Sequence, residues 1–485
     1  MTASSSGGAG PAGAGREHGA DGIRNVVLVG HSGSGKTTLA EALLMHTGTI
    51  ARTGRVEDGT TVSDFDEVEI RQKRSVNLTL TPFVSGGITV NLLDTPGYAD
   101  FTGDLRAGLR AADCALFVVA ATDGVDGVTR LLWDECAAVG MPRAVAITKI
   151  DHGRADFATV LAECQGAFGE GVLPLYLPVP ATGGTGAGGL IGLLSQTMYD
   201  YSSGTRTASP ATDLPEDAQL ARDSLIEGII TESEDETLME RYLSGETVPT
   251  DVLIADLETA VARGSFYPVL ALSSPHGIGM AELLEIVTQA FPSPLEHPLP
   301  PVASAESGEP VEGLTSDADG PLLAEIVKTT SDPYVGRISL VRVFSGTLRP
   351  DLSVHVSGHG RAERGHPDHD DDERVGALTS PLGKQQRPLT ECPAGSICAV
   401  AKLSTAETGD TLSSREQPLL MEPWMMPDPL LPVAIVAKSK ADDDKLSAAL
   451  QRLVAEDPTM RLEINAETHQ LVLWCMGEAH ADVLL

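Results

Sequence analysis

The chain has 485 residues, of which 42% are hydrophobic and 4% aromatic, and its formal net charge is −34. That length allows about three domains with well-formed apolar cores. The negative charge argues against a general attraction to nucleic acid or to an anionic membrane, because both surfaces repel it. A local basic patch that docks on RNA stays possible.

The N-terminal segment and the cysteines indicate the compartment. Residues 1–22 are mostly Gly, Ala and Ser without an apolar core, which predicts a disordered tail and not a secretory signal. The six cysteines form no C-x-x-C pair and show no metal-ligand spacing with histidine, so small buried side chains in a reducing compartment are expected. The longest apolar run, Cys114 to Ala121, is too short to span a bilayer. We expect a monomeric, cytoplasmic protein without membrane or DNA partners.

A glycine-rich turn separates the first apolar strand, Val26 to Val29, from a helix that carries Leu39, Ala42, Leu43 and Met45 on one face. The turn matches G-x-x-x-x-G-K-[ST]. Glycines allow several backbone N–H groups to face a phosphate, and the helix N-terminus favours the same anion. In this pattern the lysine reaches the outer phosphates and the following hydroxyl ligates Mg²⁺. The predicted phosphate-binding residues are Gly30, His31, Ser32, Gly33, Ser34, Gly35, Lys36, Thr37 and Thr38.

A polar segment, Thr47 to Arg74, follows the helix and is predicted to be a long exposed loop that acts as a switch beside the phosphates. Two alternating runs after it, Val76–Leu80 and Ile88–Leu92, predict an antiparallel hairpin at a sheet edge. The hairpin leads into D-T-P-G. Asp94, at the strand end, can hold Mg²⁺ through water, and the Gly97 N–H can sense a γ-phosphate.

Three further buried strands predict a parallel α/β sheet, because helical segments at 128–139 and 280–291 separate or follow them. The strands are Ala115–Ala121, Ala144–Thr148 and Val269–Leu272. In such a sheet ligands bind at the carboxyl ends of the strands, where each motif lies.

The sequence T-K-I-D follows the second of these strands and predicts the base pocket. The Asp151 carboxylate can accept from both N1–H and the exocyclic amine of guanine, whereas adenine leaves it unpaired. Lys149 can lie along the base and the ribose. Thr148 precedes it, and Ser273 and Ser274 can close the pocket with hydroxyl and N–H groups. The predicted nucleotide is GTP with Mg²⁺.

Residues beyond the sheet predict further domains. The run His366 to Glu373 is interpreted as an exposed acidic loop in preference to a metal site. The predicted fold is multidomain α/β: a P-loop GTPase domain with an inserted subdomain, then a β-barrel domain, then a partial α+β domain. The predicted boundaries are a tail at 1–22, a GTP-binding domain at 23–292 with an insertion at about 155–265, a linker at 293–320, a barrel at 321–431 and a third domain at 432–485.

The motifs GHSGSGKTT, DTPGY, TKID and PVLALSSPHGIGMAELLEIV, in that order, resemble the GTP-binding domain of the translational GTPases. DPYVGRISLVRVFSGTL and ETGDTL resemble the second domain of that family, and the segment from 438 onward is similar to the third domain of elongation factor G. The resemblance implies ribosome-stimulated GTP hydrolysis, with ribosomal RNA and ribosomal proteins as partners. It assigns Lys36, Gly97 and position 98 to catalysis.

Four positions depart from the family. Tyr98 stands where the family has the histidine that positions the attacking water, and a phenol cannot become a cation near neutral pH. Asn77 stands where the family threonine ligates Mg²⁺, so the resemblance implies a metal shell of Thr37, Asp94 and Asn77. Thr148 replaces an Asn, and Gly33 replaces an Asp. These departures predict a divergent paralogue similar to elongation factor G.

Two functions stay open at this level: ribosomal translocation or remodelling driven by GTP hydrolysis, and a GTP-gated module that binds or protects the ribosome with little hydrolysis. Because the family continues beyond the third domain, we also expect the chain to be truncated. A third alternative, an ATPase or small-molecule kinase, is disfavoured by Asp151.

Overall fold

The computed structural model of the protein describes residues 19–181, 186–211, 213–332, 336–437, 439 and 443–484. Residues 1–18 of the predicted tail lie outside the described residues. The last residues of this tail, Ala20–Gly22, form a short 3₁₀ helix with Ala20 buried, so these three residues are ordered and not disordered as predicted. Part of the Gly-rich run in the insertion, residues 182–185, also lies outside the described residues.

The N-terminal unit contains a seven-stranded sheet in the order β2-β3-β1-β4-β5-β11-β6 and a separate four-stranded sheet in the order β10-β9-β8-β7. Its strands are β1 (Ile23–Val29), β2 (Thr79–Ser85), β3 (Ile88–Asp94), β4 (Cys114–Ala120), β5 (Arg143–Thr148), β6 (Val172–Pro174), β7 (Tyr176–Pro180), β8 (Ala187–Gly192), β9 (Thr197–Asp200), β10 (Thr207–Pro210) and β11 (Tyr267–Ala271). Its helices are α1 (Lys36–His46), α2 (Glu67–Gln72), α3 (Thr102–Ala111), α4 (Gly127–Ala138), α5 (Phe157–Phe168), α6 (Glu216–Thr231), α7 (Glu236–Leu243), α8 (Thr250–Arg263) and α9 (Met280–Gln289).

The main sheet is parallel except for β2, which pairs antiparallel with β3 at the sheet edge. Alternate residues of β1 enter two different cores: Val26 and Leu28 pack with α1 and α9, while Val27 and Val29 pack with α3, α4 and α5. Both faces of the sheet are therefore covered, which is why β4 is apolar at every position and its neighbours are apolar over most of their length. The predicted parallel α/β sheet and its edge hairpin are confirmed.

The segment 47–74 is not the exposed loop that its polarity predicts. It contains α2, and the side chains of Asp64 and Glu69 are buried. Two buried carboxylates hold its backbone: Glu41 accepts from the N–H groups of Gly54 and Val62, and Glu69 accepts from those of residues 76 and 77. Glu41 and Glu69 are thus internal because backbone donors satisfy them, whereas Asp64 Oδ2 is buried without a hydrogen-bond partner.

Two local predictions in this unit also need correction. Met45 is 50% exposed, whereas Leu44 is fully buried, so the apolar face of α1 is rotated from the predicted one. The insertion begins later than residue 155, because α5 continues the alternation and β6 pairs with β11 in the main sheet. The inserted elements are the four-stranded sheet and the helices α6 to α8.

The second unit is built on an eight-stranded antiparallel sheet in the order β17-β16-β22-β13-β14-β21-β18-β19 around one apolar cluster. The strands are β12 (Val302–Ser304), β13 (Leu323–Asp332), β14 (Gly336–Ser345), β15 (Thr347–Leu348), β16 (Ser353–Gly358), β17 (His369–Arg374), β18 (Leu378–Leu382), β19 (Gln385–Leu389), β20 (Cys392–Pro393), β21 (Ile397–Ala401), β22 (Thr411–Ser414) and β23 (Leu419–Met421). Because β12 pairs with β23, part of the predicted linker 293–320 belongs to this unit.

The predicted acidic loop at 366–373 is mostly exposed, as expected, but it is not a loop throughout. Residues from His369 onward form β17, which pairs with β16, and His366 is only 3% exposed with its Nδ1 2.6 Å from a Glu407 carboxylate oxygen. The acidic side chains repel one another, which is why an exposed loop was expected. Histidines lie beside the carboxylates here and lower that repulsion. Within the described residues no group of three or more His, Cys, Asp or Glu side chains is placed to hold a metal.

One of these pairs predicts a pH dependence of stability. The hydrogen bond from His369 to the buried Asp410 carboxylate raises the pKa of His369 from 6.5 to about 9. Because the folded pKa is the higher one, the stabilisation is complete below pH 6.5 and is lost as the pH rises through 9. We expect the free energy of unfolding to fall by on the order of 2 kcal/mol across that window, measured by urea denaturation.

The variant His369→Gln should remove most of this dependence, whereas His46→Gln, at an exposed position at the end of α1, should retain it. An unchanged pH profile in His369→Gln would show that this imidazole does not link protonation to folding.

A buried polar network joins the first two units. Arg342, on β14, is 1% exposed and its Nη2 donates to both carboxylate oxygens of Asp113, at 3.0 and 3.2 Å. The Asn25 amide donates to the same carboxylate at 2.6 Å and to the Gly395 carbonyl at 2.9 Å. Burial raises the pKa of Asp113, and Arg342 opposes that rise. The charges of Arg342 and Asp113 are thus compensated only while the first and second units stay in contact.

The third unit consists of α10 (Asp443–Glu456), α11 (Glu478–Leu484) and a three-stranded sheet in the order β24-β26-β25. The strands are β24 (Leu431–Ile435), β25 (Arg461–Ile464) and β26 (Leu471–Cys475). These helices and strands agree with the predicted α+β character of this unit. Across the described part of the chain, every helix is too short or too polar to cross a membrane.

Candidate nucleotide site

The loop between β1 and α1 has a backbone that favours glycine at three positions. A Cβ on Gly30 would lie 2.2 Å from the Val118 carbonyl oxygen, and Gly33 and Gly35 have φ values of 82° and 99°. Those angles lie in the left-handed region that side chains disfavour. The loop therefore curls tightly before α1 begins at Lys36, which leaves the N-terminal N–H groups of the helix at its mouth.

Lys36 lies inside this loop. It is 6% exposed, and its Nζ donates to the carbonyls of Gly30 at 2.6 Å and of His31 at 3.1 Å. Burial lowers the pKa of Lys36 to about 8, while the nearby carboxylates of Asp94 and Asp64 raise it. A cation that is held by neutral carbonyls in a buried loop is suited to a phosphate.

The other predicted residues of the loop are divided between its interior and its surface. His31 and Ser34 are buried, and the His31 Nε2 and Ser34 Oγ atoms have no hydrogen-bond partner. Ser32, Gly33 and Thr38 are exposed. The interior of the loop therefore contains unpaired polar atoms of the kind that a bound ligand satisfies.

A cluster of oxygens lies beside Lys36, where β3 ends. Thr37 Oγ1 donates to Asp94 Oδ2 at 2.8 Å, and Asp94 Oδ1 is buried without a partner. Asp64 Oδ2 is also buried without a partner. Burial raises the pKa of Asp94, and burial together with the Asp94 charge raises the pKa of Asp64 to about 7. Two unpaired carboxylates in a buried cradle fit a divalent cation, which would neutralise them.

Sequence reasoning missed Asp64, because it lies in the segment that was predicted to be an exposed loop. It also placed Asn77 at the metal. In the structure the Asn77 N–H donates to Glu69 Oε1 at 3.1 Å, and it is Ser75 Oγ that lies 3.0 Å from Thr37 Oγ1. The partners of Asp64 are distant in sequence, so no local pattern marks it.

Gly97 and Tyr98 lie over the phosphate loop. A Cβ on Gly97 would be 2.5 Å from the Ser32 nitrogen and 2.6 Å from Lys36 Nζ, so only glycine allows this approach. Tyr98 is 38% exposed, and the Arg74 guanidinium lies 4.7 Å from its ring centroid. Hydrogen bonds with Ser32 and Arg74 lower the pKa of the Tyr98 phenol. Tyr98 thus connects the phosphate loop to the segment that precedes β2.

The predicted base residues meet at the ends of β5 and β11. The Thr148 hydroxyl donates to the Ser34 carbonyl at 2.6 Å, which ties this loop to the phosphate loop. Lys149 has a φ of 59° and its Nζ lies 3.6 Å from an Asp123 carboxylate oxygen. Asp151 Oδ1 is buried without a partner, as expected of an acceptor that a ligand would satisfy.

The second half of this pocket contains a residue that sequence reasoning missed. His276 Nδ1 lies 3.1 Å from Ser273 Oγ and 3.6 Å from Asp151 Oδ2, and its side chain is 63% exposed. Ser273 is fully buried and Ser274 is half-buried beside it. His276 comes three residues after Ser273, just beyond a predicted strand end. That position is the sequence signal that could have marked His276 as a pocket residue.

These motifs all lie at the carboxyl ends of β1, β3, β5 and β11, where an α/β sheet binds ligands. The fold and the glycine loop define a P-loop nucleotide-binding domain. Residues 21–293 match the family model "Elongation factor Tu GTP binding domain", residues 321–415 match "Elongation factor G domain 2" and residues 426–485 match "Elongation Factor G, domain III".

The chain is also similar to individual proteins. The "Elongation factor G-like protein" of Mycobacterium tuberculosis, in strains CDC 1551 and H37Rv, is 62% identical over 483 residues, which is 98% of this chain and 66% of the relative. A crystal structure of a protein from Thermus thermophilus superposes with a TM-score of 0.80 at 36% identity, covering 95% of this chain and 65% of that one.

The chain therefore belongs to the translational GTPases, in the group that resembles elongation factor G, and spans about two thirds of the length of its matched relatives. The predicted resemblance is confirmed. Membership of this family implies guanine-nucleotide binding. The roles of the individual residues toward the nucleotide stay predictions.

Proposed function

We propose that this protein binds GTP with Mg²⁺ and hydrolyses it on the ribosome, in the cytoplasm, to drive translocation or ribosome remodelling. The observation that supports the proposal best is the convergence of a buried lysine, unpaired carboxylates and a buried Asp151 acceptor at one edge of the sheet. The phosphates, the metal and the guanine each have a chemically matched group there.

In the proposed complex, Lys36 and the N-terminus of α1 bind the phosphates, while Thr37, Asp94 and Asp64 would hold the metal. A bound Mg²⁺ supplies charge neutralisation at the β- and γ-phosphates. Asp151 accepts from the guanine edge, and Ser273 and Ser274 close the pocket. Asn77 was included in the metal shell by resemblance, but its described contacts do not support that role.

Residues that follow Gly97 form hydrogen bonds with both of the other units. Asp100 Oδ2 accepts from the Ala479 N–H of the third unit at 2.9 Å. Asp104, on α3, accepts from the Leu78 N–H at 2.8 Å and from Lys328 Nζ of the second unit at 2.6 Å. A change at Gly97 on hydrolysis would therefore be transmitted directly to both units.

A second candidate is a GTP-gated module that binds or protects the ribosome with little hydrolysis. Tyr98 favours it, because the phenol is hydrogen-bonded to Ser32 and Arg74 and cannot supply an imidazolium. In this form GTP would order the switch segments without being consumed.

Ribosome-stimulated phosphate release tests the two candidates. We expect measurable stimulation in the wild-type protein and an increase of about tenfold or more in Tyr98→His, because an imidazole positions a water better than a phenol does. Tyr98→Phe, which keeps the ring beneath Arg74 but removes the hydroxyl, is the matched control. No stimulation in wild type together with recovery in Tyr98→His would instead support the gated module.

A further inference from the structure

A serine hydroxyl lies at the metal side of the phosphate loop, at a position that no motif assigns. Ser75 Oγ is 3.0 Å from Thr37 Oγ1. Thr37 uses its single hydroxyl proton toward Asp94 Oδ2, at 2.8 Å, and the Ser75 hydroxyl also forms a hydrogen bond with the Asp64 carboxylate. The three side chains thus form a continuous row of oxygens from Ser75 to Asp94.

Ser75 is held in this place from behind. The buried Glu69 carboxylate accepts from the N–H groups of Val76 and Asn77, both at 3.1 Å, and the Glu69 carbonyl accepts from the Arg74 N–H at 3.3 Å. The backbone on both sides of Ser75 is therefore fixed to α2. The hydroxyl reaches Thr37 because of this anchoring and not through a free loop.

The oxygens are spaced as hydrogen-bonded pairs are, and the same spacing lets them share one magnesium ion as adjacent ligands. Adjacent ligands of an octahedral Mg²⁺ at about 2.1 Å are about 3.0 Å apart. The separations of Thr37 Oγ1 from Ser75 Oγ and from Asp94 Oδ2, 3.0 and 2.8 Å, are close to that value. The unpaired Asp64 Oδ2 and Asp94 Oδ1 atoms supply the second observation, since both are buried and require a cation or a donor.

We propose that the Ser75 hydroxyl is a direct ligand of the nucleotide-bound Mg²⁺ and takes the place that resemblance gave to Asn77. This inference rests on the proposed GTP site. A hydroxyl at 75 supplies a neutral oxygen ligand of the type that Thr37 provides, whereas the Asn77 backbone is bonded to Glu69.

The first experiment measures retention of a fluorescent GTPγS derivative as a function of Mg²⁺ concentration. In Ser75→Ala we expect the Mg²⁺ concentration for half-maximal retention to rise about tenfold, and in Ser75→Thr to stay within about twofold of wild type. An unchanged Mg²⁺ requirement in Ser75→Ala, in a wild-type background that retains GTPγS, overturns this inference alone. Failure of the wild type to retain GTPγS with Mg²⁺ overturns the proposed function as well.

The second experiment separates ligation from a structural role. Thiolates prefer Cd²⁺ to Mg²⁺, so Ser75→Cys should lose retention in Mg²⁺ and recover it in Cd²⁺, relative to the wild-type protein in each metal. Cadmium rescue of Asn77→Cys but not of Ser75→Cys would assign the ligand to residue 77. Rescue of neither would show that Ser75 acts only through packing.

Discussion

Asp151→Asn is expected to weaken GTP binding by about 1000-fold or more and to make xanthosine triphosphate the preferred nucleotide. The Asp151 Oδ1 atom is buried without a partner, and Oδ2 is 3.6 Å from His276 Nδ1. The carboxylate can accept two hydrogen bonds from guanine, but an amide presents one donor to the same edge. Xanthine replaces the exocyclic amine of guanine with a carbonyl, so it accepts from that donor and restores the pairing.

Competition of GTP and xanthosine triphosphate for a fluorescent analogue measures this exchange. Asp134→Asn, an exposed position on α4 of the same unit, provides a matched control that should keep the GTP preference. Unchanged GTP affinity in Asp151→Asn would remove the base-recognition proposal, although the phosphate loop would be unaffected.

Arg342→Ala is expected to lower the free energy of unfolding by about 3–5 kcal/mol, because it leaves the Asp113 carboxylate buried and unpaired between two units. The side chains of Arg342 and Asp113 are 2% and 3% exposed, so water cannot replace the lost partner. Arg349→Ala breaks the pair with Glu391, in which the arginine is 58% exposed, and should cost less than about 1 kcal/mol.

Urea denaturation followed by tryptophan fluorescence measures both variants. In the double variant with Asp113→Ala, the total loss should be smaller than the sum of the single losses, because the second change removes the orphaned charge. Additive losses would show that the two side chains do not depend on each other, and that the network does not couple the units.

Much of the nucleotide domain could be predicted from sequence because its signals are local. The glycine pattern at residues 30–35 has one steric interpretation, since the Val118 carbonyl leaves no room for a Cβ at residue 30. The apolar strands at 114–120 and 143–148 are buried on both faces, so their composition alone marks them. Asp94 and Asp151 follow such strands, which predicted that they would share one edge of the sheet.

The segment before the hairpin could not be predicted in the same way. Asp64, Glu69 and Ser75 lie in a polar run without apolar periodicity. Asp64 lies near the Lys36 and Asp94 charges, Glu69 accepts from the backbone at residues 76–77, and Ser75 lies beside Thr37. Polar side chains are buried only where hydrogen-bond donors and charges from distant parts of the chain surround them. The spacing of residues in the sequence does not indicate which distant groups will meet. The strand at 369–374 was missed for the same reason, since its acidic Asp372 is paired with His355 on β16 and with Arg415, both distant in sequence.

The sequence by itself therefore determined the class of the protein and predicted its order of domains and the groups proposed to face phosphate and guanine. Each of these depends on residues adjacent in the chain or on the ends of apolar strands. The tertiary structure alone decided which oxygens lie together at the proposed metal position and how the units are joined through Asp113 and Arg342. Those features depend on contacts between residues that are distant in sequence, and their energies arise only when the fold excludes water from them.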